Sequence, residues 1–70
     1  MPIVEITLIE GRSVEVKRRL IAKVTDGIIE AIDAPRESIR IILREVPPEH
    51  FAVGGLSIAD RKAASSENSS

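Results

Sequence analysis

The sequence predicts an α/β fold (α+β in some classifications): a short βαβ subunit with parallel strands that assembles into an oligomer. Three observations predict it. Two apolar, β-branched runs, PIVEITLI and IRIILREV, flank one long amphipathic stretch, VEVKRRLIAKVTDGIIEAI. Strand, helix and strand follow one another within about 45 residues, which calls for parallel strands joined by a right-handed crossover. The chain has only 70 residues and no cysteine, so neither a large core nor a disulfide can stabilise it.

The first run, PIVEITLI, alternates Val4, Ile6 and Leu8 against Ile3, Glu5, Thr7 and Ile9. Both faces are largely apolar, so both call for cover. Glu10-Gly11-Arg12-Ser13 breaks the strand: Gly11 permits a turn and Ser13 is a good N-cap. Glu15 then lies in the first helical turn, where a negative charge suits the helix dipole. Val16, Leu20, Ile21, Val24, Ile28, Ala31 and Ile32 make an amphipathic stripe. Lys17, Arg18 and Arg19 read as a solvated face, and Ile29 lies off the stripe, placed to touch another chain. Gly27 in the helix interior costs about 1 kcal/mol relative to Ala. Ala34 before Pro35 ends the helix, and Pro35 to Ser38 is a turn. The second strand places Ile39, Ile41 and Leu43 on one face and Arg40, Ile42, Arg44 and Val46 on the other. Pro47-Pro48 stops it. HFAVGG reads as a short apolar loop ending at Gly54-Gly55, followed by a brief strand at Leu56 to Ile58. Residues 2–58 form the predicted domain, and residues 59–70 a polar tail, expected to be disordered in part.

Composition narrows the function classes. Ten Lys/Arg against eleven Asp/Glu give a net charge of −1, without the long-range field of a nucleic-acid binder. Phe51 is the one aromatic residue, so base stacking has no platform. With His50 the one histidine, any metal site would rest on carboxylates, and none is expected. Apolar runs fall short of the roughly 20 residues that span a bilayer, and no signal segment is evident, so a soluble, cytoplasmic protein is the expectation. Oligomerisation remains as the stabiliser for so small a core.

The chemistry-bearing candidates are few. No nucleotide-binding glycine loop, metal-ligand cluster or Ser-His-Asp set is present, so no cofactor is expected. Pro2 stands directly behind Met1. It is either a rigid strand start or, once Met1 is trimmed, a free secondary amine. Arginines at strand boundaries, Arg12 and Arg40, and Phe51 close to two glycines complete the set.

PIVEITLIEGRS, the helix ending in IDAP, SIRIILREV and PPEHFAVGG, in that order and spacing, resemble the 4-oxalocrotonate tautomerase family, within the superfamily that uses an amino-terminal proline. The resemblance covers residues 2–58. It implies a βαβ subunit in a hexamer, a trimer of dimers, and a cofactor-free proton transfer that interconverts enol and keto forms of unsaturated 2-oxo acids. It implies Pro2 as the base, Arg12 and Arg40 as carboxylate-binding residues, and Phe51 as the apolar wall. It gives His50 no role.

The chemistry of these residues fits such a reaction. A pyrrolidine nitrogen is ordinarily too basic to be free at neutral pH, but apolar surroundings and nearby cations both disfavour its charged form. Phe51 supplies the first and the arginines the second. An amine poised near the working pH can take a proton from one atom of a dienol and deliver it to another. Arginine binds carboxylate with a two-pronged fork and stays charged. Strand one is on the order of 23 Å long from Pro2 to Ile9, and Arg12 lies beyond its far end. If Pro2 and Arg12 serve one site, they come from different chains. Parallel pairing could place Arg40 near its own Pro2, whereas the resemblance implies that a neighbouring chain contributes it.

Each residue also has a purely structural reading. Arg12 could be a solvated cap residue, Arg40 a partner of Glu5 or Glu37, Arg44 a surface residue and Phe51 an apolar plug. Some relatives hydrate or dehalogenate acrylic acids with a loop carboxylate. Val53 occupies that position here and Glu49 is displaced, so tautomerisation ranks first. Two arginines favour a dicarboxylate such as 2-hydroxymuconate. A promiscuous phenylenolpyruvate-type tautomerase and a non-enzymatic assembly module are the alternatives.

Overall fold

The computed structural model describes residues 2–62. Strand β1 (Ile3–Ile9) leads to helix α1 (Val14–Ile32), a single 3-10 turn (Arg36–Ser38) and strand β2 (Arg40–Val46). A second 3-10 turn (Pro48–His50) precedes two short strands, β3 (Ala52–Val53) and β4 (Leu56–Ser57). β1 and β2 pair in parallel from Ile3↔Arg40 to Ile9↔Val46, and β3 and β4 pair antiparallel. The predicted α/β unit, with its parallel strands and connecting helix, is therefore present.

Local chemistry sets the element boundaries. Gly11 has φ +132°, a conformation that glycine adopts without strain and that turns the chain out of β1. Ser13 caps α1 as expected, its hydroxyl accepting from the Val16 N–H at 3.2 Å. The helix ends on Asp33, which takes the left-handed conformation (φ 56°) and donates its N–H to the Ile29 carbonyl at 2.9 Å. Pro35 acts only after this stop. The Pro35–Ser38 turn tightens into a 3-10 turn because the Ser38 N–H and hydroxyl both bond the Pro35 carbonyl.

HFAVGG is not simply a loop. Gly54 (φ 64°) and Gly55 (φ 86°) form a two-residue turn with both residues left-handed, the form that matches strand twist in hairpins. Ala52–Val53 can therefore pair with Leu56–Ser57. The strand ends at Ser57, whose hydroxyl accepts from the Asp60 N–H at 3.1 Å; residues 58–62 are helical. The remainder of the predicted tail, residues 63–70, lies outside the described residues, as does Met1.

Exposure alternates along the parallel pair. Val4, Ile6 and Leu8 on β1 and Ile41 and Leu43 on β2 are half-buried, while Ile3, Glu5, Thr7, Arg40, Ile42 and Arg44 are exposed. Helix α1 covers the first face. Its Leu20, Val24 and Ile28 are half-buried, and Lys17 Nζ bonds Glu45 Oε1 at 2.8 Å. Lys17 is thus tied to β2 rather than solvated. Ile29 is half-buried within its own chain, whereas Val16, Ile21 and Ile32 of the predicted stripe are exposed.

Among the described residues, nothing covers the second sheet face. No described residue is buried, and the large apolar residues left exposed include Ile3, Val14, Ile32, Ile42, Phe51, Val53 and Leu56. The radius of gyration is 16.4 Å, against about 11 Å for a compact globule of this length. A lone chain therefore lacks the core that a stable fold needs. Gly27 has nothing within 4 Å of where a Cβ would stand. Gly27→Ala is expected to raise stability by about 1 kcal/mol, measured by urea unfolding at fixed protomer concentration; a loss of stability would place another chain against this turn.

Candidate active site

The parallel register puts the start of β2 beside the start of β1. The Arg40 N–H donates to the Pro2 carbonyl at 3.0 Å, so Pro2 and Arg40 stand together at one end of the sheet. Pro2 is half-buried and Arg40 exposed. The Arg40 guanidinium turns back on its own loop, with Nη1 donating to the Glu37 carbonyl at 2.6 Å.

Arg12 belongs to the opposite end. Its Nη1 donates to the Ile9 carbonyl at 3.0 Å, where β1 finishes. Ile3 and Ile9 are six strand steps apart, or about 20 Å. An arginine anchored beyond Ile9 does not reach the Pro2 of its own chain. Phe51 also leaves from that end, after β2 and its 3-10 turn, with 40% of its surface exposed. Its carbonyl accepts the Ile58 N–H at 2.8 Å, which fixes the base of the β3–β4 hairpin. Of the four residues singled out by sequence, the chain brings together Pro2 and Arg40 and leaves Arg12 and Phe51 at the far end.

Two of the arginines are held by carboxylates. Arg36 is in an ion pair with Asp26 at 2.7 Å, and Arg44 with Glu5 at 2.9 Å. Arg12 and Arg40 bond only backbone carbonyls, and among the described residues neither has a carboxylate partner. Glu5 is engaged by Arg44, and Glu37 offers its carbonyl rather than its carboxylate. Each of these two guanidiniums keeps most of its five N–H donors for an incoming anion. Both can grip a carboxylate without breaking an ion pair, as can Arg18, Arg19 and Arg61, which also have no carboxylate partner among the described residues; what sets Arg40 apart is its place beside Pro2.

Arg61 is a residue to which sequence reasoning gives no role. It bonds the Val53 carbonyl at 3.2 Å and braces the hairpin that follows Phe51. An arginine eight residues beyond a two-residue strand carries no periodic signal that could have marked it. His50 is exposed in the 3-10 turn. No closed pocket forms among the described residues of one chain, in keeping with components that lie at opposite ends. Among the described residues, no helix is long and apolar enough to cross a membrane.

Known proteins resemble this chain in sequence and fold. The tautomerase enzyme family model matches residues 2–61. A 2-hydroxymuconate tautomerase of Stutzerimonas stutzeri is 47% identical over 57 residues, covering 81% of this chain and 90% of that protein. A solved 4-oxalocrotonate tautomerase isozyme from Methylibium petroleiphilum superposes with a TM-score of 0.87 at 40% identity, over 90% of this chain and 98% of the other. A heterohexameric 4-oxalocrotonate tautomerase from Chloroflexus aurantiacus gives a TM-score of 0.81 at 42% identity, over 86% and 97%. Fold and sequence agree across nearly the whole described chain: it belongs to the tautomerase family of isomerases, alongside the 4-oxalocrotonate tautomerases.

Proposed function

We propose that this chain, freed of Met1, is a cofactor-independent tautomerase of unsaturated 2-oxo acids, acting in the cytoplasm on a dicarboxylate of the 2-hydroxymuconate class. The observation that carries the reading is the place of Arg40, hydrogen-bonded through its backbone to Pro2 and without a carboxylate partner among the described residues. The Pro2 amine takes the proton of the enol hydroxyl and returns it to the far carbon of the conjugated chain. The double bonds shift and a 2-oxo group forms. One proton leaves and one returns, so no oxidant or metal is required. Arg40 and Arg12 hold the carboxylates and stabilise negative charge developing on the 2-oxo oxygen. Phe51 supplies the apolar wall that disfavours the protonated amine.

The working unit is an oligomer, a hexamer arranged as a trimer of dimers. Three facts support this: the absence of buried residues among the described residues of one chain, the separation of Arg12 from Pro2, and the heterohexamer formed by the Chloroflexus relative. Pro2 of one chain then works with Arg12 and Phe51 of others.

A substrate panel on Met1-free protein tests the reading. 2-Hydroxymuconate should be turned over with a higher kcat/KM than phenylenolpyruvate, which has one carboxylate. Arg40→Ala should cost about 10-fold to 100-fold in kcat/KM on the dicarboxylate, the usual worth of a charge-assisted hydrogen bond. The monocarboxylate should lose less. Equal losses would reject the assigned role of Arg40.

A further inference from the structure

The Arg40 side chain rests on the turn in front of it. Its Nη1 donates to the Glu37 carbonyl at 2.6 Å, and Glu37 is the middle residue of the 3-10 turn Arg36–Ser38. That turn is closed by bonds to its own neighbours. The Ser38 N–H and hydroxyl both reach the Pro35 carbonyl, at 3.0 and 2.7 Å, and the Ile39 N–H reaches the Arg36 carbonyl at 3.2 Å. Bonds of this kind fix the shape of the turn, not where it stands on the protein. Among the described residues, one hydrogen bond ties the turn to another element: Arg36 Nη2 donates to Asp26 Oδ1 of helix α1 at 2.7 Å.

Two anchors therefore hold the segment that carries Arg40. At the strand end, the Arg40 N–H is bonded to the Pro2 carbonyl, which sets where the side chain starts. At the turn end, Asp26 holds the turn whose carbonyl sets where the guanidinium lies. An arginine that becomes ordered only on binding loses rotamer freedom at that moment, which weakens its grip. Arg40 is ordered beforehand for as long as the Glu37 carbonyl keeps its place. The bland account is a surface ion pair without consequence, since the Asp26 and Arg36 side chains are 48% and 62% exposed and such pairs add little to stability. The location of the pair argues against that account. Arg44 and Glu5 join strands whose backbones are already paired. Asp26 and Arg36 join a helix to a turn that has no other hydrogen bond to it among the described residues.

We propose that Asp26 is a positioning residue for the reaction: through Arg36 it fixes the turn on which the Arg40 guanidinium rests, and so sharpens the preference for a substrate with a second carboxylate. The inference rests on the functional reading above and adds to it a residue of helix α1 that touches neither substrate nor Pro2. Its size is bounded. The pair can bias the turn toward one position by no more than its own worth, which for an exposed ion pair is at most a factor of about five.

Asp26→Ala tests this, because alanine keeps the helix favourable while removing the carboxylate. The expected result is a loss of about threefold to fivefold in kcat/KM on 2-hydroxymuconate, carried by KM, with phenylenolpyruvate changed less than about 1.5-fold. In an Arg40→Ala background the same substitution should change neither substrate, since the residue it positions is gone. Equal losses on the two acids, no loss on either, or a full further loss in the Arg40→Ala background would each overturn the proposal, because a general disturbance of the fold does not depend on Arg40. If Asp26→Ala does not assemble, Arg36→Met in the exposed turn decides by the same ratio and the same background. Wild-type protein that turns over neither acid would instead overturn the functional reading beneath the inference.

Discussion

Converting the Pro2 amine to an amide is expected to abolish tautomerase activity, lowering kcat/KM by at least about 10³-fold, within the range general acid–base groups contribute. The simplest such protein retains a short uncleaved extension ahead of Pro2. An amide nitrogen has no basic lone pair, so the proton carrier is lost while the ring stays. The chain fold should survive, because the contact Pro2 makes to Arg40 uses its carbonyl. Pro2→Ala, processed to a primary amine, should be milder, about 10²-fold. The pH profile follows from the sign of the charge. A base must be unprotonated, so kcat/KM should hold at high pH and fall as pH drops through the pKa of the amine. In the proposed site, apolar contact with Phe51 and the charges of Arg12 and Arg40 would both disfavour the protonated amine. Stopped-flow rates across pH on wild-type and extended protein provide the check. Full activity in a protein whose intact mass includes the extension would dismiss proline chemistry.

The fold was legible where local signals agree with the final packing. Alternating apolar residues in IVEITLI and RIILREV mark the strands, and Ser13 marks the helix start. The brief strand at Leu56 is legible, but its partner Ala52–Val53 and their pairing are not, although Gly54-Gly55 is a recognised two-residue turn signal. Strands of two residues are too short to display alternation, so only the turn could have announced them. The helix stripe was read correctly in type but not in membership. Ile21 and Ile32 look like core positions in a heptad-style count, yet they are exposed in one chain. Sequence period reports which face must be buried, not whether the same chain buries it. Arginine partnerships were legible only as a set of possibilities. The register sets Glu5 opposite Ile42, with Arg40 and Arg44 as equal diagonal neighbours. The choice of Arg44 rests on side-chain placement, Arg40 turning instead to the Glu37 carbonyl, which no local pattern specifies. That choice matters for the site, because it is what leaves Arg40 without a carboxylate partner.

The distance between Pro2 and Arg12 leads to the second large effect. β1 holds them about 20 Å apart, and the Arg12 guanidinium is bonded at the far end of the strand to Ile9. Pro2→Ala and Arg12→Ala should each inactivate their own oligomers, the first by loss of the base and the second by loss of a carboxylate grip. Mixed oligomers should behave differently. If a site draws Pro2 from one chain and Arg12 from another, a random one-to-one mixture contains sites in which both donors are intact. Independent choice of the two donors makes these about a quarter of all sites in a closed symmetric assembly. Co-expressed Pro2→Ala and Arg12→Ala chains should therefore recover about a quarter of wild-type kcat, with KM unchanged because the restored sites are complete. A site built within one chain would recover nothing, since every chain in the mixture carries a lesion. The contrast holds provided that each single variant retains well below a quarter of the wild-type rate, which losses of about 10-fold to 100-fold allow. Mixing after separate purification, without subunit exchange, should give no recovery, and dilution below the dissociation point should remove whatever recovery co-expression produced.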